Sequence, residues 1–150
     1  MKRFLQLSLI ALLLGLTLSA CGSGTVAPTY PGGTSIQAPT SFSDSVKNGT
    51  RETPKNASVT AFKTTDDLAK VKASFADSFK TGQWTDQSSS IGNQDGVNQF
   101  QTAGGFLLAY QKGTTAMAVI GLPNALASTA GFTGLAATEN VYVVFSGDTP

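Results

Sequence analysis

The sequence holds no histidine, one cysteine and one tryptophan, and only 13% of its residues are charged. Each shortage excludes something. Without histidine, the usual base of a nucleophilic triad is missing. With a single cysteine as well, a zinc site built on His and Cys ligands is excluded by count. No disulfide can close within the chain, so stability must come from a packed core. Ten basic residues face nine acidic ones, without a basic cluster, which leaves no electrostatic case for nucleic acid as a partner. Gly104-Gly105 and the glycines of 121–134 lack the Lys-Ser/Thr of a phosphate loop. Neither a cofactor nor a metal is expected.

What is abundant lies first at the amino terminus. Lys2 and Arg3 precede an apolar run from Phe4 to Leu18, and the small residues Ser19 and Ala20 lead to Cys21. A short positive region, an apolar region and small residues are the three parts of a secretory signal peptide. The run of about 15 residues falls short of the ~20 needed to span a hydrocarbon core, and Gly22-Ser23-Gly24 provides no stop-transfer charge.

Leu18-Ser19-Ala20-Cys21 resembles the lipobox of bacterial lipoproteins. The resemblance implies cleavage between Ala20 and Cys21 and a diacylglyceryl thioether on the Cys21 sulfur. It leaves the new amino terminus available for further acylation. Two or more acyl chains, each methylene adding ~0.8 kcal/mol, moor a protein stably where one chain would be marginal. The competing reading, an ordinary leader followed by a free thiol, would export an unpaired cysteine to an oxidising compartment. Gly22 stands where an aspartate would signal inner-membrane retention in some diderm bacteria. The implied location is therefore the cell envelope, facing outside the cytoplasm, on the outer membrane if there are two. The lipid bilayer is then the first partner.

Removing residues 1–20 leaves 130 of the 150 residues and takes Lys2 and Arg3 from the basic side, so the mature chain is near neutrality. Residues 21–55 read as a lipidated cysteine and a Gly/Ser/Thr/Pro-rich flexible linker, because apolar residues are too sparse there to offset ordering entropy. Within it, Tyr30-Pro31-Gly32-Gly33 suits a turn, and Phe42 and Val46 allow a brief helical turn.

Residues 56–150 read as a small α+β domain. Val59 to Phe62 is a strand. Thr64 with Asp67 suggests a capping box, and Leu68, Val71, Phe75 and Phe79 fall on one stripe of an amphipathic helix. Gly82 is the expected stop. Asp95-Gly96 suggests a hairpin turn. Phe106–Tyr110, Thr114–Ile120 and Val141–Phe145 are strong strands. The expected fold is two-layer: one helix on an antiparallel sheet of about four to five strands, in strand–helix–meander order. Gly121 to Asn140 is long for a connection in a compact domain, and such loops are functional or mobile.

Tyr30-Pro31-Gly32, together with a strand, Thr64-Thr65-Asp66, an amphipathic helix and Gly82-Gln83-Trp84, looks like a class of small exported bacterial α+β proteins. That class implies a fold and transfers no catalytic residue.

The chain is expected not to be an enzyme. Asp86, Asp95, Glu139 and Asp148 are the scattered carboxylates a hydrolase would need to bring together at about 5–10 Å. Trp84, Tyr110 and Tyr142 are the candidates for a partner surface, with core burial as the competing reading. Two non-catalytic roles follow. One is an envelope interaction or structural module that meets a partner protein through a sheet face or edge. The other is a carrier of a small apolar ligand, held between sheet and helix beneath the Gly121–Asn140 loop.

Overall fold

Phe106-Leu107-Leu108-Ala109-Tyr110 is apolar at every position, and a strand of that kind must bury both of its faces. The architecture follows from this requirement. The computed structural model describes residues 27–48, 54–91 and 95–149; the leader, Ala20 and Cys21 lie outside them. In order, the elements are β1 (Thr34–Ile36), α1 (Thr40–Asn48), β2 (Lys55–Thr64), α2 (Leu68–Thr81), β3 (Thr85–Asp86), α3 (Ser88–Ile91), α4 (Asp95–Thr102), β4 (Phe106–Lys112), β5 (Thr115–Leu122), α5 (Asn124–Thr129) and β6 (Asn140–Asp148). Among the described residues, six strands form one antiparallel sheet in the order β1-β2-β6-β5-β4-β3.

The α+β class holds, and the two-layer expectation is corrected. On one face lies α2, whose stripe Leu68, Val71, Phe75 and Phe79 is buried. It packs with Phe106, Leu108, Tyr110, Met117, Val119 and Tyr142 from the sheet. Each such side chain contributes about 1.5–3 kcal/mol when taken out of water. On the other face a second core gathers Ala61, Leu122, Val141 and Val143 with Ala127 of α5 and Phe132. Phe42 of α1 and Phe100 of α4 pack against it. Helices therefore flank the sheet on both sides.

The ends of α2 also differ from the sequence reading. Pairing of Thr64 with Asn140 keeps Thr64 in β2, where its hydroxyl accepts from the Asp66 N–H at 3.1 Å. Asp67 caps the helix instead, accepting from the Ala69 N–H at 2.9 Å. At the other end Gly82 has φ −75, and the left-handed position falls to Gln83 at φ 58. The Trp84 N–H reaches the Phe79 carbonyl at 3.0 Å and the Gln83 N–H the Lys80 carbonyl at 3.1 Å. This pair of bonds, with Trp84 packed on Phe79, is a Schellman motif.

Two further expectations are corrected. Asp95-Gly96 opens α4 rather than a hairpin, because Val97 and Phe100 lie one helical turn apart and both face the sheet. The stretch read as a linker contributes β1, all of α1 and the buried Tyr30. A few well-placed aromatic and aliphatic contacts order it despite its polar composition.

Candidate functional site

Three short helices share the second face of the sheet, and together they do not close it. Phe42 and Val46 of α1, four apart, form one wall of a groove; Val97 and Phe100 of α4 form another. Leu126 and Ala130, on α5 and at its end, form the third, and Leu107, Ile120 and Leu122 make the floor. The volume is about 400 Å³. Among the described residues Thr129 is the one hydroxyl-bearing residue in the lining. Its hydroxyl is turned inward, donating to the Ala125 carbonyl at 2.9 Å, so no hydroxyl hydrogen is left for a ligand. Among the described residues no charged side chain lines the groove. Gly105 makes the α4 wall achievable: a Cβ there would collide with the Phe100 ring.

The Gly121–Asn140 connection, read from its length as functional or mobile, is tied down. Its α5 forms the groove wall. The Asn124 side-chain amide donates to the Ala136 and Glu139 carbonyls, both at 2.8 Å, and Phe132 is buried in an edge contact with Phe42. Glu139 accepts from the Ala136 N–H at 2.8 Å and pairs with Lys63 at 2.9 Å. These two contacts, the N–H first, hold its carboxyl below the usual carboxylate range.

Of the two readings open for the candidate partner-surface residues, the structure has core burial. Trp84, Tyr110 and Tyr142 are 8%, 7% and 1% exposed. Tyr110 stacks on Phe79 with centroids 4.0 Å apart, and Trp84 meets the same ring edge-on at 5.3 Å. All three lie beneath α2, packed into the core with Phe75 and Phe79. The apolar site beneath the 121–140 connection is therefore on the opposite face from the one the sequence suggested.

A smaller hollow of about 240 Å³ lies beside Tyr30, between Ala27–Thr29 and the strand residues Ser58, Thr60 and Ser146. It is bounded by a clasp. The Tyr30 hydroxyl donates to Asp66, which also accepts from Lys70 at 2.8 Å. Tyr142 donates to the Tyr30 carbonyl at 3.2 Å. Burial, with Tyr30 alongside, pushes the Tyr142 phenol up to about 12.

Of the carboxylates a hydrolase would need, the described Asp86, Glu139 and Asp148 do not converge. Asp86 is on β3 and accepts from the Ser88 N–H at 2.7 Å. Asp148 ends β6, bonded to Asn56 and Thr115. Between β3 and β6 lie three strand spacings, about 14 Å. Glu139 and Asp148 flank the length of β6, about 30 Å. The Asp95 side chain lies outside the described residues. Among the described residues no cluster of three or more metal-ligating side chains occurs, and no helix is long and apolar enough to cross a membrane.

No family model, no curated protein and no solved structure matches this chain.

The groove residues Phe42, Val46, Val97, Phe100, Leu126 and Ala130 were not singled out from the sequence as a site. Their signal was there in weak form: apolar pairs three or four apart in three polar stretches. Beside them, three strands were too apolar to leave a face to water.

Proposed function

We propose that this chain is an exported bacterial lipoprotein, held in the cell envelope by acylated Cys21 and facing outside the cytoplasm. In this reading the domain binds a small apolar ligand without catalysis. The observation that carries the binding role is the groove of about 400 Å³ walled by α1, α4 and α5. Small-molecule sites are concave, of ~300–1,000 Å³, and mostly apolar. An ionised group placed against this lining would be desolvated without a partner, so the part of the ligand that enters is neutral.

Two other readings lose support. An interaction module that used Trp84, Tyr110 and Tyr142 would have to expose them, and they are core. A hydrolase built on Asp86, Glu139 and Asp148 would need two of them within about 10 Å, and the sheet holds these three apart.

The test is to purify the protein from its own envelope, extract it with organic solvent and identify what leaves it by mass spectrometry. An apolar molecule in near-stoichiometric amount is expected from the native protein, and little from Ala130→Phe, which fills the groove. Equal recovery from both would refute the groove as the site. In the same preparation, Cys21→Ser is expected to leave the membrane fraction with its fold intact.

A further inference from the structure

The membrane anchor and the folded domain are closer in sequence than the composition of residues 21–55 suggests. Tyr30 is locked under α2 through Asp66 and Tyr142, and the described chain already packs on the core at Ala27. Only six residue steps separate Ala27 from Cys21. Even fully extended they span about 20 Å, less than the ~30 Å length of β6. The leash is shorter than the sheet it holds.

Where the leash leaves the domain gives it a direction. Ala27–Thr29 share a hollow with Ser58 and Ser146, a cross-strand pair two positions from Asp148. That half of the sheet ends in Lys55, Asp148, Thr115 and Lys112, with the Gly113-Thr114 turn at its tip. The carboxyl end of α2 is there too, since Lys112 donates to the Gly82 carbonyl at 2.7 Å. Lys55, Lys80 and Lys112 are exposed at this end. Asp77 is a turn further up α2; Asp86, opposite Tyr110 on β3, accepts from the Ser88 N–H, and Asp148 is engaged by Asn56 and Thr115, so three lysines stand against two acids at this end. The opposite end carries Asp66, Asp67 and Glu139 against Lys63 and Lys70.

We propose that the sheet end bearing Lys55, Lys80, Lys112 and the Gly113-Thr114 turn docks on an anionic bilayer surface. It is held there by the six-residue leash and by attraction of its lysines to anionic headgroups. The proposal rests on lipidation of Cys21.

The experiment uses the processed, lipidated protein on vesicles of phosphatidylethanolamine and phosphatidylglycerol that contain a headgroup quencher. With the Cys21 sulfur in a thioether, Thr114→Cys and Thr138→Cys each supply the one free thiol for a fluorophore. Both positions are exposed, and Thr138 lies beside Glu139 at the far end of the sheet. Quenching at 114 is expected to exceed that at 138 by at least twofold. Lengthening the leash by a Gly/Ser insert after Ser23, or the double change Lys55→Glu, Lys80→Glu, should shrink that difference. Equal quenching, or more at 138, on protein whose thioether is confirmed by mass spectrometry overturns the docking and leaves the anchor standing. A bare thiol with no vesicle association overturns both.

Discussion

Tyr142, at the centre of the sheet, donates its buried hydroxyl to the main-chain carbonyl of Tyr30 at 3.2 Å, joining residues 112 positions apart. The contact fastens the amino-terminal segment to the core. Removing the donor leaves a carbonyl in a buried setting without it, which costs about 1–3 kcal/mol. Tyr142→Phe should lower the urea midpoint without changing the slope of the transition. Alkaline pH adds a second signature. The folded phenol is pushed up to about 12, above its unfolded value near 10. Its stabilisation is therefore complete below about pH 10 and lost as pH rises towards 12. Tyr142→Phe should flatten that alkaline fall.

Asp66 gives the opposite limb. The Lys70 ammonium, then the Tyr30 hydroxyl, hold its carboxyl below the usual range. Its contribution is present above the unfolded value, near pH 4, and lost as pH falls through the folded value. Asp66→Asn should be less stable than the native chain at neutral pH, with the gap closing on acidification. Chemical denaturation at a series of pH values checks this. A gap that stays constant into acid would count against the clasp.

Gln83 holds the left-handed position after α2, at φ 58. A non-glycine residue pays roughly 1–2 kcal/mol there, partly offset by the unfolded-state freedom a glycine would add. Gln83→Gly should therefore raise stability by about 0.5–1 kcal/mol, read as a higher melting temperature.

At Gly105 the limit is space. An added methyl would run into the Phe100 ring, forcing the ring to shift. Gly105→Ala should destabilise by about 1–3 kcal/mol and, because Phe100 lines the groove, weaken apolar ligand binding as well.

Much of the scaffold was legible in the sequence. Leu68, Val71, Phe75 and Phe79 marked α2 by spacing alone, and β2, β4, β5 and β6 stood out as runs of strand formers. The misses have a common cause. Phe42 and Val46, or Val97 and Phe100, are too few to propose a helix until a sheet face is present to receive them. Tyr30 reads as part of a linker because its partners, Asp66 and Tyr142, are distant in sequence. The same effect hid the groove, whose walls come from three segments that look polar one at a time. For Trp84, Tyr110 and Tyr142 the sequence leaves surface and core both open, and packing decides for the core. The register of β4, β5 and β6 puts Tyr110 and Tyr142 on one face, the one α2 covers, and a sequence does not show register.

The central claim is that the second face of the sheet takes up an apolar molecule. Titration with the neutral fluorophore N-phenyl-1-naphthylamine tests it most directly, using the native chain beside Ala130→Phe and Leu126→Gln. The account predicts saturable one-to-one binding to the native protein, sharply weakened in both variants while their melting curves stay cooperative. Absence of saturable binding, or equal binding in all three, would contradict it.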